Sequence, residues 1–91
     1  MKHLIIAAAL LMAAPALAQD KMTLLLDWFI NPDHGPIILA KELGYFTDQE
    51  LEVEIIAPAD PSAPPKLVAA GQGDIAVSYQ PSLHLHVAEG L

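Results

Sequence analysis

The sequence predicts an α/β fold whose elements follow the order β-α-β-α-β-α and whose strands form a parallel sheet. Three observations lead to this prediction: three apolar segments of strand length, three segments with helical character, and short connections between them. Strands that alternate with helices form parallel sheets with right-handed crossovers, because each helix returns the chain to the start of the next strand. We therefore expect one sheet covered by helices.

The first strand and helix are separated by a turn rich in polar residues. Met22 to Phe29 is rich in leucine and aromatic residues, which predicts a buried strand, and Pro32 ends it. Asp33 is the expected N-cap of the first helix. Apolar residues then recur with a period of 3.6 up to Leu43, and Gly44 is a suitable residue to end the helix.

The second strand is the clearest element in the pattern. Leu51 to Ile56 alternates apolar and acidic side chains, which predicts a half-buried strand with Glu52 and Glu54 on the solvent-facing side. A proline-rich loop follows it. Ser62 is the expected cap of the second helix, which we expect to begin at Pro65 because a residue that precedes proline is disfavoured in a helix.

The third strand and helix complete the predicted order. Asp74 to Tyr79 is short and largely apolar, as expected of a strand that is buried on both faces. Gln80 opens a final helix that runs to Glu89. A domain of roughly 70 residues is close to the lower limit for an independent hydrophobic core, and the chain ends one residue after Gly90. The sequence therefore predicts a fragment of a longer protein.

Residues 1–18 stand apart from this fold. They combine a basic Lys2, an apolar run and small residues that end at Ala18, which is the pattern of a secretory signal peptide cleaved after Ala18. A membrane anchor is the alternative, but spanning a bilayer requires about 18 consecutive apolar residues, and the run here is shorter. We expect a signal peptide over 1–18, an exported domain over 19–91, and no membrane insertion after cleavage.

The composition restricts the partners of the exported domain. The chain has no Cys, which excludes a disulfide framework and a lipid-modified Cys anchor. It has no Arg, and after cleavage three Lys stand against eleven acidic residues. Nucleic acids and anionic membranes are bound through clustered Lys and Arg, so the composition argues against both partners. The sequence thus predicts a protein of the periplasm.

Polar and aromatic side chains follow the predicted strands at their carboxyl ends. Asp27-Trp28 follows the first strand, Asp60 the second, and Ser78-Tyr79 lies at the end of the third. Ligands of open α/β sheets bind at these ends. We therefore expect Trp28 and Tyr79 to offer flat surfaces to a ring, and the carboxylates and Ser78 to offer hydrogen bonds.

Two of these candidates have structural alternatives, and His34 is a further candidate. Trp28 is expected either to stack on a ligand or to cover the sheet edge as part of the core. Asp60 is expected either to bind a ligand or to form an Asx turn before Pro61. His34 lies at the start of a helix, where the dipole disfavours a positive charge. It is therefore expected to be neutral and to hydrogen-bond a ligand.

The remaining histidines of the domain predict no metal site. His84 and His86 stand at positions i and i+2 of a predicted helix, and side chains at that spacing do not face each other. Both are expected to be solvated. The sequence also contains no Ser-His-Asp pattern, CxxC motif or phosphate-binding loop, so neither a catalytic residue nor a bound cofactor is predicted.

Four segments resemble a known family. These are LDWFINPDH, AKELGYF, LEVEIIAPADPSAP and KLVAAGQGDIAVSYQPS. Together they resemble the extracytoplasmic solute-binding proteins that deliver thiamine pyrimidine precursors to ABC transporters. The same superfamily contains sulfonate- and nitrate-binding proteins, and the WFINPDH and SYQP segments are similar to the pyrimidine branch.

The resemblance implies a type II periplasmic-binding-protein-like fold of two lobes, of which this chain matches only the first part of lobe 1. It implies a small pyrimidine ligand of the formylaminopyrimidine or hydroxymethylpyrimidine type and an ABC transporter permease as partner. A sulfonate- or nitrate-type binding protein is an alternative. A sulfonate demands cationic or N–H-rich donors, and a domain with no Arg and few Lys is a poor source of them.

The same branch contains an enzyme, thiamine pyrimidine synthase, which consumes its own His together with pyridoxal phosphate and requires iron. In that branch a Lys on the strand after a GKVD-like motif anchors the pyridoxal phosphate, and the donor His follows four residues later. Aligning Gly71–Asp74 (GQGD) with that motif places Ser78 at the Lys position and Ser82 at the His position. A Schiff base needs an amine, so we expect a binding protein that uses no cofactor.

Overall fold

A computed structural model describes residues 19–91, and the predicted signal peptide over 1–18 lies outside the described residues. The elements, in chain order, are β1 (Asp20–Leu25), a 3-10 turn (Pro32–His34), α1 (Gly35–Glu42), α2 (Tyr45–Asp48), β2 (Leu51–Ile56), α3 (Pro64–Ala69), β3 (Ile75–Ala76) and α4 (Gln80–Ala88). The three strands form one parallel sheet in the order β2-β1-β3. The predicted α/β fold with a parallel sheet is confirmed.

Strand β1 is the centre of this sheet and contacts both other strands. It pairs with β2 along its whole length, from Asp20 opposite Leu51 to Leu25 opposite Ile56. On its other side, Leu24 and Leu25 pair with the two residues of β3. Because all three strands run in one direction, their carboxyl ends lie at the same edge of the sheet.

The core forms on both faces of β1. Leu24 and Leu26 pack with Val53 on one face, where Ile37 and Phe46 cover them. Leu25 is buried on the opposite face. A strand covered on both sides needs a continuous apolar run rather than an alternating one. Leu24 and Leu25 at the end of β1, with Leu26 directly after them, meet that requirement.

The first and third strands are shorter than predicted. The Leu26 N–H still donates to the Ile56 carbonyl at 2.8 Å, but β2 ends there and the chain beyond has no strand to pair with. Residues 27–30 therefore form a bend rather than the end of a strand. The third strand is limited to Ile75–Ala76, because only the end of β1 lies beside it.

Two of the three predicted helices begin at residues other than those expected. Asn31, not Asp33, caps the first turn, since its side-chain oxygen accepts the Asp33 N–H at 3.0 Å. Ser62 does not cap α3, which begins one residue earlier than predicted, after Ala63. Gly44 follows α1 with a φ of 77°, a conformation that glycine adopts without steric cost.

The predictions for β2 and α4 are confirmed: β2 has the predicted bounds, and α4 begins at Gln80. Glu52 and Glu54 are exposed on β2, as the alternation indicates. Within residues 19–91, the helices are too short or too polar for any of them to span a lipid bilayer.

Gly73 allows the turn before β3 to approach β1 closely. A Cβ atom at this position would lie 2.9 Å from Leu25 Cδ1 and 3.2 Å from Leu25 Cγ. Leu25 is buried, so it has little room to move away. The lack of a side chain at Gly73 therefore lets Asp74 and Ile75 reach the edge of β1.

Replacing Gly73 with Ala should destabilise the intact protein by about 1–3 kcal/mol, the usual cost of forcing an extra carbon into a packed core. Urea denaturation would measure the free energy of unfolding. Gly35→Ala is the matched control, because Gly35 has α-helical angles and a Cβ there meets nothing within 4 Å. Equal midpoints for the two variants would contradict the packing argument.

Candidate functional site

Asp27 is the first residue beyond the buried end of β1, and its carboxylate accepts hydrogen bonds from two distant parts of the chain. His34 Nε2 lies 2.7 Å from Asp27 Oδ1. The Tyr79 hydroxyl donates to Asp27 Oδ2 at 2.6 Å. These contacts join the end of β1, the 3-10 turn and the start of α4. We call the three residues the Asp27 cluster.

The local sequence around His34 explains its orientation. The turn Pro32–His34 is closed by Asn31, whose side chain caps the Asp33 N–H. In return, the backbone N–H of Asn31 donates to His34 Nδ1 at 3.3 Å. An Nδ1 atom that accepts a hydrogen bond carries no proton, so the ring proton lies on Nε2 and is donated to Asp27.

The Asp27 cluster shifts the acidity of two of its members. The pKa of Asp27 is lowered, first by the hydrogen bond from His34 and then by the one from Tyr79, while burial opposes the shift. The pKa of Tyr79 is raised, because its hydroxyl proton is held by Asp27 and the negative carboxylate disfavours a phenolate beside it. Asp27 is therefore a stable carboxylate at neutral pH.

A cavity of about 280 Å³ opens beside the Asp27 cluster, between the carboxyl ends of β1 and β3 and the helices α3 and α4. Ligand pockets are typically about 300–1,000 Å³, so this volume is suitable for a small molecule. Its polar lining consists of Asp27, Ser62, Lys66, Ser78, Tyr79, Ser82, His86 and Glu89, and its apolar lining of Pro61, Pro65, Val77 and Leu85.

The cavity brings together three of the six residues predicted as ligand contacts. Asp27, Ser78 and Tyr79 all line it. Trp28, His34 and Asp60 do not. His34 is only 3% exposed, and both of its ring nitrogens contact other residues of the chain.

Trp28 lies on the solvent side of the bend after β1. Its side chain is 50% exposed, and its ring packs edge-on against Phe29 with centroids 5.6 Å apart. This exposure argues against the alternative in which Trp28 covers the sheet edge as part of the core. About half of this residue's surface therefore remains accessible to solvent.

Asp60 forms the Asx turn that was the structural alternative for this residue. Its Oδ1 atom accepts the Ser62 N–H at 2.9 Å and the Ser62 hydroxyl at 2.8 Å. These two hydrogen bonds lower the pKa of Asp60. The turn directs the chain from β2 into α3 and places Ser62 at the cavity, which explains why Ser62 does not cap the helix.

Several cavity residues were missed by sequence reasoning because their shared feature is a helix face. Ser82, Leu85, His86 and Glu89 recur at the spacing of one face of α4. The prediction that His84 and His86 are both solvated is wrong for His86, whose side chain is only 19% exposed. Residues two positions apart in a helix point in directions about 200° apart. Because His84 is exposed to solvent, His86 lies on the side of α4 that faces the cavity.

The cavity has one cationic side chain, Lys66, which α3 contributes. The sequence analysis did not predict Lys66 as a site residue. The available signal was its position directly after Pro65, where the helix that follows the second strand was predicted to begin. Within the described range, no group of three or more His, Cys, Asp or Glu side chains is placed to hold a metal ion.

These features define a class of protein. A carboxylate, a tyrosine hydroxyl, serine hydroxyls and one amine surround a small cavity at the carboxyl ends of a parallel sheet, which is where open α/β sheets bind ligands. The fold and the cavity are those of a ligand-binding α/β domain.

The family model described as NMT1/THI5 like matches residues 31–91, which is most of the described chain. The chain belongs to this family. The resemblance found in the sequence is therefore confirmed, and the observed α/β architecture is consistent with part of a periplasmic-binding-protein-like fold.

Three relatives show the range of proteins that this chain resembles. A protein of Haemophilus influenzae described as a thiamine biosynthesis protein is 55% identical over 82 residues, which cover 90% of this chain and 26% of the relative. A 4-amino-5-hydroxymethyl-2-methylpyrimidine phosphate synthase of Legionella pneumophila is 39% identical, over 65% of this chain and 19% of the relative. A formylaminopyrimidine-binding protein of Halalkalibacterium halodurans is 38% identical, over 75% of this chain and 21% of the relative.

The chain spans about a quarter or less of the length of these relatives. One is named for thiamine biosynthesis, one is named a pyrimidine phosphate synthase, and one is named a formylaminopyrimidine-binding protein. A relation to thiamine pyrimidine precursors is therefore supported for this chain.

Asp27→Asn should destabilise the intact protein at neutral pH and not at low pH. A carboxylate with a lowered folded-state pKa stabilises the fold above the ordinary aspartate value of 3.8, and this contribution is lost as the pH falls through the lower folded value. Urea denaturation across this pH range would measure the difference. Glu42→Gln, an exposed residue, controls for the change in net charge. The prediction would be contradicted if the free energy of unfolding of Asp27→Asn differed from that of wild type by the same amount at every pH.

Proposed function

We propose that the protein is the extracytoplasmic substrate-binding component of an ABC transporter for a thiamine pyrimidine precursor. The ligand class is a small aminopyrimidine of the formylaminopyrimidine or hydroxymethylpyrimidine type. The observation that carries this proposal is the residue two positions after β3 that lines the cavity, which is Ser78 rather than a lysine.

Ser78 bears on the choice between a binding protein and a synthase. The resemblance to the synthase branch implies a lysine at this position, to hold pyridoxal phosphate, and a histidine at the position of Ser82. Both serines line the cavity, and neither can form the imine that anchors this cofactor. The residues present therefore do not fit pyridoxal phosphate. A binding role needs neither a lysine at position 78 nor a histidine at position 82.

The cavity offers hydrogen bonds that suit an aminopyrimidine. An ionised carboxylate has about four lone-pair positions, and His34 and Tyr79 occupy two of those on Asp27. The remaining positions can accept N–H groups of a ligand, since Asp27 lines the cavity and is ionised at neutral pH. The hydroxyls of Ser78 and Ser82 can donate to the ring nitrogens.

The proposed location is the periplasm, and the proposed partner is an ABC transporter permease. The signal-peptide pattern of residues 1–18 supports this location. The excess of acidic residues favours a small solute over nucleic acid as the ligand.

Trp28→Ala in the intact protein should weaken binding of formylaminopyrimidine by about 1–3 kcal/mol, the range for stacking of a nucleic-acid base on an aromatic side chain. The reason is that Trp28 is half-exposed and lies just beyond the carboxyl end of β1, next to Asp27 of the cavity. Calorimetric titration would measure the dissociation constant, and the fluorescence of Trp28 should change when the pyrimidine is added.

Tyr45→Ala provides the control for Trp28→Ala. Tyr45 is also an exposed aromatic residue, but it begins α2 and precedes the amino end of β2, at the edge of the sheet away from the cavity. Its replacement should leave the affinity unchanged. Equal affinities for wild type and Trp28→Ala would show that Trp28 does not contact the ligand.

A synthase is the second candidate function, and the similarity of this chain to a synthase supports it. The Legionella pneumophila synthase and the Halalkalibacterium halodurans binding protein are almost equally similar to this chain. In addition, the cavity contains one amine, Lys66, although α3 contributes it rather than the strand.

Reduction with borohydride in the presence of pyridoxal phosphate tests this candidate. We expect no adduct at Lys66 beyond the level found at Lys21 and Lys41, two exposed lysines that serve as internal controls. Peptide mass spectrometry of the intact protein would measure all three. A selective phosphopyridoxyl adduct on Lys66, together with loss of a histidine side chain during turnover, would contradict the binding role and support the synthase.

A further inference from the structure

His34 is buried and lies outside the cavity, yet it contacts the carboxylate that lines the cavity. Its ring is 3% exposed, and the cavity lining does not include it. Among residues 19–91, few polar side chains are buried. Burying a polar group lowers the stability of the fold unless its hydrogen bonds are satisfied. Both nitrogens of His34 are satisfied, each by a different partner.

The two ring nitrogens have separate roles. Nδ1 accepts the backbone N–H of Asn31 at 3.3 Å and so helps to close the 3-10 turn. Nε2 donates to Asp27 Oδ1 at 2.7 Å, and that bond has no part in capping the turn. It fixes the rotation of the carboxylate, because one oxygen is held by a buried ring.

The rotation of the Asp27 carboxylate determines what the cavity presents. With Oδ1 held by His34, Oδ2 is directed to the Tyr79 hydroxyl, 2.6 Å away. Tyr79 precedes α4, the helix that supplies one face of the cavity. A free carboxylate could rotate, and its lone pairs would no longer have a fixed direction toward a ligand or toward Tyr79.

We propose that His34 is a positioning residue of the ligand site: through Nε2 it holds the Asp27 carboxylate in the one orientation that serves both Tyr79 and a bound aminopyrimidine. This inference rests on the proposed function for its ligand. The sequence interpretation of His34 as a direct ligand contact is thereby replaced by an indirect role.

Two substitutions separate the role of Nε2 from that of Nδ1. The carboxamide of His34→Asn reaches about as far as Nδ1, so it can accept the Asn31 N–H but cannot donate to Asp27. The carboxamide of His34→Gln reaches about as far as Nε2 and restores that donor. If His34 only closed the turn, His34→Asn would be the milder change.

We expect His34→Asn to weaken binding of formylaminopyrimidine by about tenfold, the size of effect expected when a hydrogen bond to a charged group is lost. His34→Gln should recover most of the affinity. Calorimetric titration of the intact protein would measure both, with urea midpoints to establish that each variant is folded. Equal affinities for the two variants, or a weaker His34→Gln, would overturn the proposal.

A ligand-free measurement distinguishes failure of this proposal from failure of the proposed function. The pKa of Tyr79 is raised by its hydrogen bond to Asp27, and ultraviolet titration, with Tyr79→Phe as the reference, follows that hydroxyl alone. The pKa of Tyr79 should move toward the ordinary tyrosine value in His34→Asn and stay raised in His34→Gln. If wild type binds no pyrimidine, the proposed function fails, and this titration still decides the positioning role.

Nitrogen-15 spectroscopy of wild type covers the case in which His34→Asn does not fold. Binding of formylaminopyrimidine to Asp27 should shift the Nε2 resonance of His34 more than the Nδ1 resonance, because only Nε2 contacts the carboxylate. An unchanged Nε2 resonance at saturation with this compound would overturn the proposal.

Discussion

The Asp27 carboxylate accepts hydrogen bonds from His34 and Tyr79, and this shared acceptor holds the carboxyl edge of the domain together. The three residues come from the end of the central strand, a tight turn and the start of the last helix. Hydrogen bonds to an ionised group are roughly twice as strong as those between neutral groups. One negative charge therefore fixes segments that the sheet alone would leave independent, and the cavity lies beside it.

The central position of β1 determines which other residues reach that cavity. Both neighbouring strands are parallel to it, so the loops and helices after β2 and β3 begin at the same edge as Asp27. This arrangement places Lys66 of α3 opposite one face of α4. The result is a small polar cavity with a carboxylate and an amine on different elements, which suits a ligand that both donates and accepts hydrogen bonds.

The family to which the chain belongs includes proteins named for binding a pyrimidine and proteins named for making one. A shared scaffold is compatible with both, because function depends on the side chains at a site rather than on the fold. In this chain the proposed function rests on Ser78, which lies two residues after β3 and lines the cavity. A hydroxyl there can hydrogen-bond a ligand but cannot hold a carbonyl cofactor as an imine, and the proposed binding role follows from that chemistry.

Local patterns in the sequence were sufficient for the elements that local forces define. The alternation of Leu51–Ile56 gave the bounds of β2, and Gly44 marked the end of α1, since a left-handed residue after a helix favours glycine. The Asx turn of Asp60 and the start of α4 were likewise predictable from neighbouring residues. The pattern of aromatic and polar residues at the strand ends also pointed to Asp27, Ser78 and Tyr79, which line one cavity.

The tertiary structure decided what depends on partners far apart in the chain. The first strand ends at Leu25 because β2 extends no further, a limit that its own apolar sequence does not contain. His86 lines the cavity that α3 and α4 share, a position that only the folded arrangement of the two helices reveals. His34 lies outside the cavity, and Asn31 and Asp27 hold both of its ring nitrogens. The bond between Tyr79 and Asp27 joins residues 52 positions apart. Sequence patterns report the preferences of near neighbours, whereas these contacts exist only after the sheet has brought distant segments together.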